Sequence, residues 1–188
     1  MNNEVTIVEQ IEESICLMRY LQQNTSILTA IANQLTQAFQ RGNKVLLFGN
    51  GGSAADAEHF AGELVGRLRH NRDPLAAIAL TSNAACLTAI ANDFGYDTVF
   101  ERQVHGLAKK HDVVIGISTS GDSINVLLAI EEAKQIGAVT VAFTGQNGKL
   151  HHIVDHVLSI PSTDTPRIQE AHMTAAHIIC YLVEEAGL

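Results

Sequence analysis

Apolar residues recur at helical spacing in two stretches before any strand signal appears. Ile7, Ile11, Ile15, Met18 and Leu21 mark residues 5–21, and Ile27, Ile31, Leu35 and Phe39 mark residues 27–39. Two amphipathic helices are predicted, the second capped by Thr25 or Ser26 and closed by Gly42 at its C′ position. From residue 45 the pattern changes to short apolar runs at 45–48, 75–80, 113–117, 139–143 and 154–160, which predict strands. Helical segments are predicted after residues 49–53, over 83–91 with a break at 92–96, onward to about Lys110, and over 124–136. A last helix runs from Pro166, a residue suited to a first turn, to about Ala186. This alternation predicts an α/β fold in three layers, a doubly wound five-stranded parallel sheet of flavodoxin-like order 2-1-3-4-5. A single domain spans 1–188, with an N-terminal helical hairpin in 1–42 and the α/β core in 43–188. The hairpin serves either as an oligomer contact or as cover for one face of the sheet.

Between the first strand and its helix lies Gly49-Asn50-Gly51-Gly52-Ser53. Glycines let the backbone turn sharply and leave N–H groups unobstructed, the helix N-terminus adds partial positive charge, and Ser53 can cap the helix and donate its hydroxyl. Such a turn is a seat for phosphate. No Gly-Lys-Ser/Thr ends it. The dinucleotide fingerprint is incomplete too, with Ala54 in the last glycine's place and no acid closing the strand at Leu80. A phosphorylated small molecule is therefore expected rather than a nucleotide. A second turn, Ser118-Thr119-Ser120-Gly121-Asp122-Ser123, follows the third strand. In the order 2-1-3-4-5 the chain reverses between strands one and three, so both turns are expected around one phosphate. Taken singly, each is also explained as a tight connection or a serine-rich cap; their agreement on one location favours the binding site.

Composition narrows the partners. A formal charge of −8 and a pI near 5.5 argue against a broad nucleic-acid surface. Cys16, Cys86 and Cys180 are odd in number, far apart and set among apolar residues, so buried thiols are expected rather than a disulfide framework. The first residues carry acids and no basic n-region, and no apolar run approaches the roughly 20 residues of a membrane span. A cytoplasmic protein is predicted.

Candidate chemistry lies on two helices. His59 and Glu63 are four apart, hence on one face, and suit a metal, a proton-transfer pair, or an ordinary solvated ion pair. Gln169 and His177 are eight apart on the last helix, slightly over two turns, so the long Gln can reach the imidazole's side. His172, five positions before His177, is expected to point away from it. No partner spacing supports His70, His105, His111, His151, His152 or His156, which read as loop or surface residues.

Four separated motifs, GNGGSAADAEHFAGEL, AIANDFGY, ISTSGDS and PRIQEAHMTAAH, together resemble the phosphoheptose isomerases of the sugar isomerase (SIS) domain superfamily, over nearly the whole chain. The resemblance implies an aldose–ketose isomerase that interconverts sedoheptulose 7-phosphate and D-glycero-D-manno-heptose 7-phosphate by proton transfer through an enediol or enediolate. This is the first step toward the heptose of lipopolysaccharide and other surface glycans. It implies a homotetramer with active sites at subunit interfaces and one zinc per subunit. By matching position, Asn50, Gly51, Gly52, Asn92, Asp93, Ser118, Thr119, Ser120 and Ser123 would contact substrate, joined by Ser53. His59, Glu63, Gln169 and His177 would hold the zinc, with Glu63 and Gln169 also touching the sugar, and Glu63 and His177 would carry the proton transfer. The sequence does not decide which of these two takes the carbon proton.

One position departs from the resemblance. Many relatives carry asparagine where this chain has Asp122, whose charge would oppose a nearby phosphate unless it caps the following helix and points away. Two rival readings share the fold: a non-catalytic scaffold that binds the replication initiator, and a sugar-phosphate-sensing regulatory domain. The scaffold's relatives do not keep the acid–base pair and carry an arginine in the serine turn, whereas Glu63, His177 and Ser120 are present here. The regulators adjoin a DNA-binding module, for which these 188 residues leave no segment.

Overall fold

The computed structural model of the chain describes residues 3–188. Two helices come first, α1 (Asn3–Gln23) and α2 (Thr25–Gln40). Strands and helices then alternate: β1 (Val45–Gly49), α3 (Gly52–Val65), β2 (Ala77–Ala79), α4 (Ala84–Phe94), α5 (Glu101–Leu107), β3 (Val113–Ser118), α6 (Ile124–Ile136), β4 (Val139–Thr144), α7 (Leu150–Ile153), β5 (His156–Ser159) and α8 (Thr165–Glu185). All five strands are parallel and lie in the order β2-β1-β3-β4-β5, as the alternation predicts.

The two-residue period of a strand divides the core. Val45, Leu47, Val113, Ile115, Val141 and Phe143 face α2, α3 and α8, while Leu46, Phe48, Val114 and Ala142 meet Phe100, Val104, Val126, Ile130 and Leu150 on the other face. Burial on both sides explains why β1 and β3 read as continuous apolar runs. Of the hairpin's two expected roles, covering the sheet is seen, and it falls to α2. Helix α2 packs on the sheet and on α8; α1 packs on α8 and leaves Ile7 and Ile11 more than half exposed.

Several boundaries differ from the sequence reading. The edge strands β2 and β5 pair on one side only, so their ladders end with a single partner and both are shorter than their apolar runs. Helix α4 continues through Asn92 and Asp93 to Phe94, because the Asn92 amide bonds the Asp93 carboxylate (2.8 Å) instead of competing for backbone groups. Helix α5 ends at Leu107 rather than near Lys110, and α7, a single turn, is too short to give a period. Neither Thr25 nor Ser26 caps α2: Asn24 holds that position and its amide donates to the Tyr20 carbonyl (2.8 Å). All three cysteines are free, but only Cys180 is buried; Cys16 is exposed on α1 and Cys86 is half-buried.

Candidate active site

Both phosphate-type turns sit where the topology puts them. β1 and β3 are neighbours, with Gly49 opposite Ile117, so residues 50–53 and 118–123 leave adjacent strand ends. Gly51 occupies the N-cap position of α3, and Ser53, the second helical residue, is buried rather than capping. A side chain at Gly52 would collide with the Gln169 amide, so glycine permits the close approach of α8 to the turn. In the second turn the Ser118 hydroxyl lies 2.9 Å from that of Ser123 and 3.3 Å from that of Ser120. Thr119 and Ser120 line a cavity of about 190 Å³ with Gln146, Asn147, Ser162, Thr163 and Thr165. Every one of these side chains is uncharged, so an anion there would be held by hydroxyl, amide and helix-end donors.

The turn is held from behind by the chain after β4. Gly145 N–H donates to the Thr119 carbonyl (3.0 Å), and Leu150 N–H to that of Gly121 (3.1 Å). Gly121 has φ +71°, and a side chain there would strike the Asn147 carbonyl and Gly148. The Asp122 carboxylate accepts the Lys149 N–H (3.0 Å). It therefore points away from the serine hydroxyls, as charge repulsion requires, but it caps the approach to α7 and not the following helix α6.

The first face of the sheet brings the proton-transfer and metal-type residues together. Helices α3 and α8 pack side by side, α3 burying Ala57, Phe60, Ala61 and Leu64, and α8 burying Ala171, Ala175, Ala176 and Ile179. Their rims then meet: His59 Nε2 is 3.0 Å from His177 Nε2 and 3.2 Å from Glu63 Oε1. One atom from each of His59, Glu63 and His177 lies within 4.8 Å of the others, all in one chain. Two imidazole Nε2 atoms at hydrogen-bond distance need a proton or a cation between them. Edges of 3.0 and 3.2 Å are close to the roughly 3.4 Å expected between nitrogen or oxygen ligands of tetrahedral zinc, so the donor set fits a divalent metal. Gln169 lies two turns earlier on α8, against Gly52, and so joins the glycine turn to the cluster.

Sequence reasoning missed the residues that hold these groups in place. Asn50 Nδ2 donates to Asn125 Oδ1 and Asn50 Oδ1 accepts from Asn125 Nδ2, both at 2.9 Å; Tyr96 hydroxyl donates to the same Oδ1 at 2.9 Å. The Asn50 side chain thus ties β1 to α6 and to the segment after α4. Asn125 is buried in the first turn of α6, a polar residue among apolar ones, which was a readable signal. Asn92 and Asp93 are exposed in the last turn of α4, close in sequence to Tyr96, and bonded to each other rather than to the serine turn. Asp56, three residues before His59, has a buried Oδ2 without a hydrogen-bond partner, and burial pushes its carboxyl up to about 6 against the pull of His59.

Residues 66–74 form an exposed, charged loop whose backbone is tied down as a strap. The buried Glu184 carboxylate accepts the N–H groups of Leu68 (2.7 Å), Arg69 (3.0 Å) and His70 (3.3 Å), and pairs with Arg72 Nε at 3.4 Å. Arg72 also donates to the Leu64 carbonyl (2.8 Å) and the Glu63 carbonyl (2.9 Å), closing the end of α3. Burial alone would raise Glu184, but these donors and the guanidinium hold it below the usual carboxylate range. Of the other histidines, His70 and His105 are exposed and pair with Glu185 and Glu132. His151 is half-buried against Thr144, and His172 is wholly buried, pointing away from His177 as expected.

Residues 11–145 match the family model of the SIS domain. A phosphoheptose isomerase of Aquifex aeolicus is 54% identical over 82% of this chain and 82% of its own. Among solved structures, the phosphoheptose isomerase GmhA of Neisseria gonorrhoeae is 36% identical with a TM-score of 0.92. One from Francisella tularensis is 33% identical with a TM-score of 0.95. Each match covers 98% of this chain and 100% of the other.

Proposed function

The chain belongs to the phosphoheptose isomerase family of SIS-domain proteins, and from that premise we propose that it interconverts sedoheptulose 7-phosphate and D-glycero-D-manno-heptose 7-phosphate. The observation that carries this reading is the convergence of Glu63 and His177, from different helices, on the side of the sheet where Gln169 closes over the glycine turn. A pure scaffold needs no such convergence.

In this reading the phosphate rests on the hydroxyls of Ser118, Thr119, Ser120 and Ser123 and on Gly51, Gly52 and Ser53. Asn50, held by Asn125 and Tyr96, presents the remaining N–H of its amide to the sugar, and Asn92, Asp93 and Gln169 take hydroxyl groups along its length. Glu63 and His177 then move one proton between C1 and C2 of the opened sugar and another between its two oxygens. His59, Glu63, Gln169 and His177 would hold zinc; glutamine is the weak member of that set, which suits a loosely held ion. When bound, the metal supplies Lewis-acid stabilisation of charge on the sugar oxygens. The heptose would serve lipopolysaccharide or other surface glycans. The chain would act in the cytoplasm as a homotetramer with sites at subunit contacts. No helix among the described residues is long and apolar enough to cross a membrane.

Purified protein incubated with sedoheptulose 7-phosphate should form the aldose by NMR, and a chelator should slow the conversion. Glu63→Gln should lower turnover by at least about a thousandfold while circular dichroism stays unchanged. An inactive wild-type protein defeats the reading, and full turnover by the variant removes Glu63 from the mechanism.

A further inference from the structure

Helix α8 carries more toward the site than Gln169 and His177. Tyr181 lies one turn beyond His177, and Glu184 nearly two, so the three share one stripe facing the strap. Leu68, Arg69, His177, Ile178 and Tyr181 line a hollow of about 350 Å³, outside the serine and glycine turns. The strap's only cation in this hollow is Arg69. Its backbone N–H is one of the three captured by the buried Glu184 carboxylate, which fixes where its side chain starts. Its guanidinium carbon lies over the Tyr181 ring, 4.8 Å from the centroid, and a ring face takes up none of the N–H donors as an ion pair would. Among the described residues no carboxylate is within ion-pair reach of it.

A fixed, unpaired guanidinium beside a proton-transfer imidazole has a definite chemical use. Moving a proton off carbon next to a carbonyl places negative charge on two neighbouring oxygens, and a planar fork can donate to both. We infer that Arg69 contacts the reacting end of the bound sugar, donating to the oxygens on C1 and C2, and is a catalytic residue alongside Glu63 and His177. The inference rests on the isomerase reading above. Glu184 and Tyr181 are positioning residues for Arg69, one through the backbone and the other through the ring face.

The test uses the full-length protein and sedoheptulose 7-phosphate. Arg69→Ala should lower kcat about a hundredfold with KM within about threefold, since the contact strengthens as charge develops. Added guanidinium ion should restore part of that turnover with saturation, which a purely structural defect would not show. Arg69→Lys keeps the charge and loses the fork, so it should remain at least tenfold impaired with an unchanged melting temperature; it carries the test if the alanine variant does not fold. Wild-type turnover with an unimpaired Arg69→Ala or Arg69→Lys overturns the inference alone, as does a loss confined to KM or one that guanidinium does not rescue. An inactive wild-type protein overturns the isomerase reading and this inference with it.

Discussion

His172 shows how a single titratable group outside the chemistry can govern stability. It is buried against Phe143, its Nε2–H donates to the Thr144 carbonyl (3.1 Å), and its Nδ1 is buried without a partner. Burial pulls its pKa down to about 4 from an ordinary 6.5, the backbone bond opposing. Between these values the unfolded chain binds a proton that the folded chain refuses. Folding stability should therefore fall as pH drops from about 6.5 toward 4, by about 3 kcal/mol over the window. His172→Gln retains a donor for Thr144 and removes the titration. Urea unfolding at pH 7.5 and pH 5 should show the wild type losing about 2 kcal/mol more than the variant; parallel losses would exclude His172 as the cause. The position was legible only in part, since spacing showed that it points away from His177 but not that β4 would enclose it.

At the scale of elements, the strap between α3 and β2 is a charged, mostly exposed stretch whose backbone is nevertheless tied to a buried carboxylate. The polar composition of residues 67–74 suits the loop they form, but local pattern cannot show that Glu184, far along the chain, receives three of their N–H groups. A signal was present in α8, where Glu184 continues the apolar stripe of Ile179, Cys180 and Val183. Replacing Glu184 by Ala leaves Arg72 buried and unpaired, and should cost about 3–5 kcal/mol in chemical unfolding. The double variant Arg72→Met/Glu184→Leu should recover part of that loss, because it removes both charges together. If the double variant is as unstable as the sum of the singles, the pair is not acting as a unit. Elements with strong periods or full burial, such as β1, β3, α3 and α8, were readable. The one-turn α7 and the trimmed edge strands were not, because their limits depend on a neighbouring strand rather than on their own residues.

For the molecule as a whole, both sides of the sheet leave apolar residues in the open. Phe94, Tyr96 and Ile124 are more than half exposed on the side of α4 and α6, and on the other side α1 stands outermost with Ile7, Ile11 and Ile15 along an open groove of about 670 Å³ that reaches Arg167 and Glu170. We place the subunit contact of the proposed tetramer there. Ile11→Glu should shift the protein to smaller assemblies at micromolar concentration in light scattering, and an unchanged mass would clear α1 of that role. The site-bearing face has a further property that follows from its one long helix. Thr165 borders the cavity beside the serine turn, Gln169 overlies Gly52, and His177 meets His59, all on the unbroken α8. The helix is thus one rigid member behind three parts of the site. A shift of α8 along the sheet would carry Gln169 and His177 together, so the grip at the glycine turn and the imidazole cannot be retuned separately without breaking the helix.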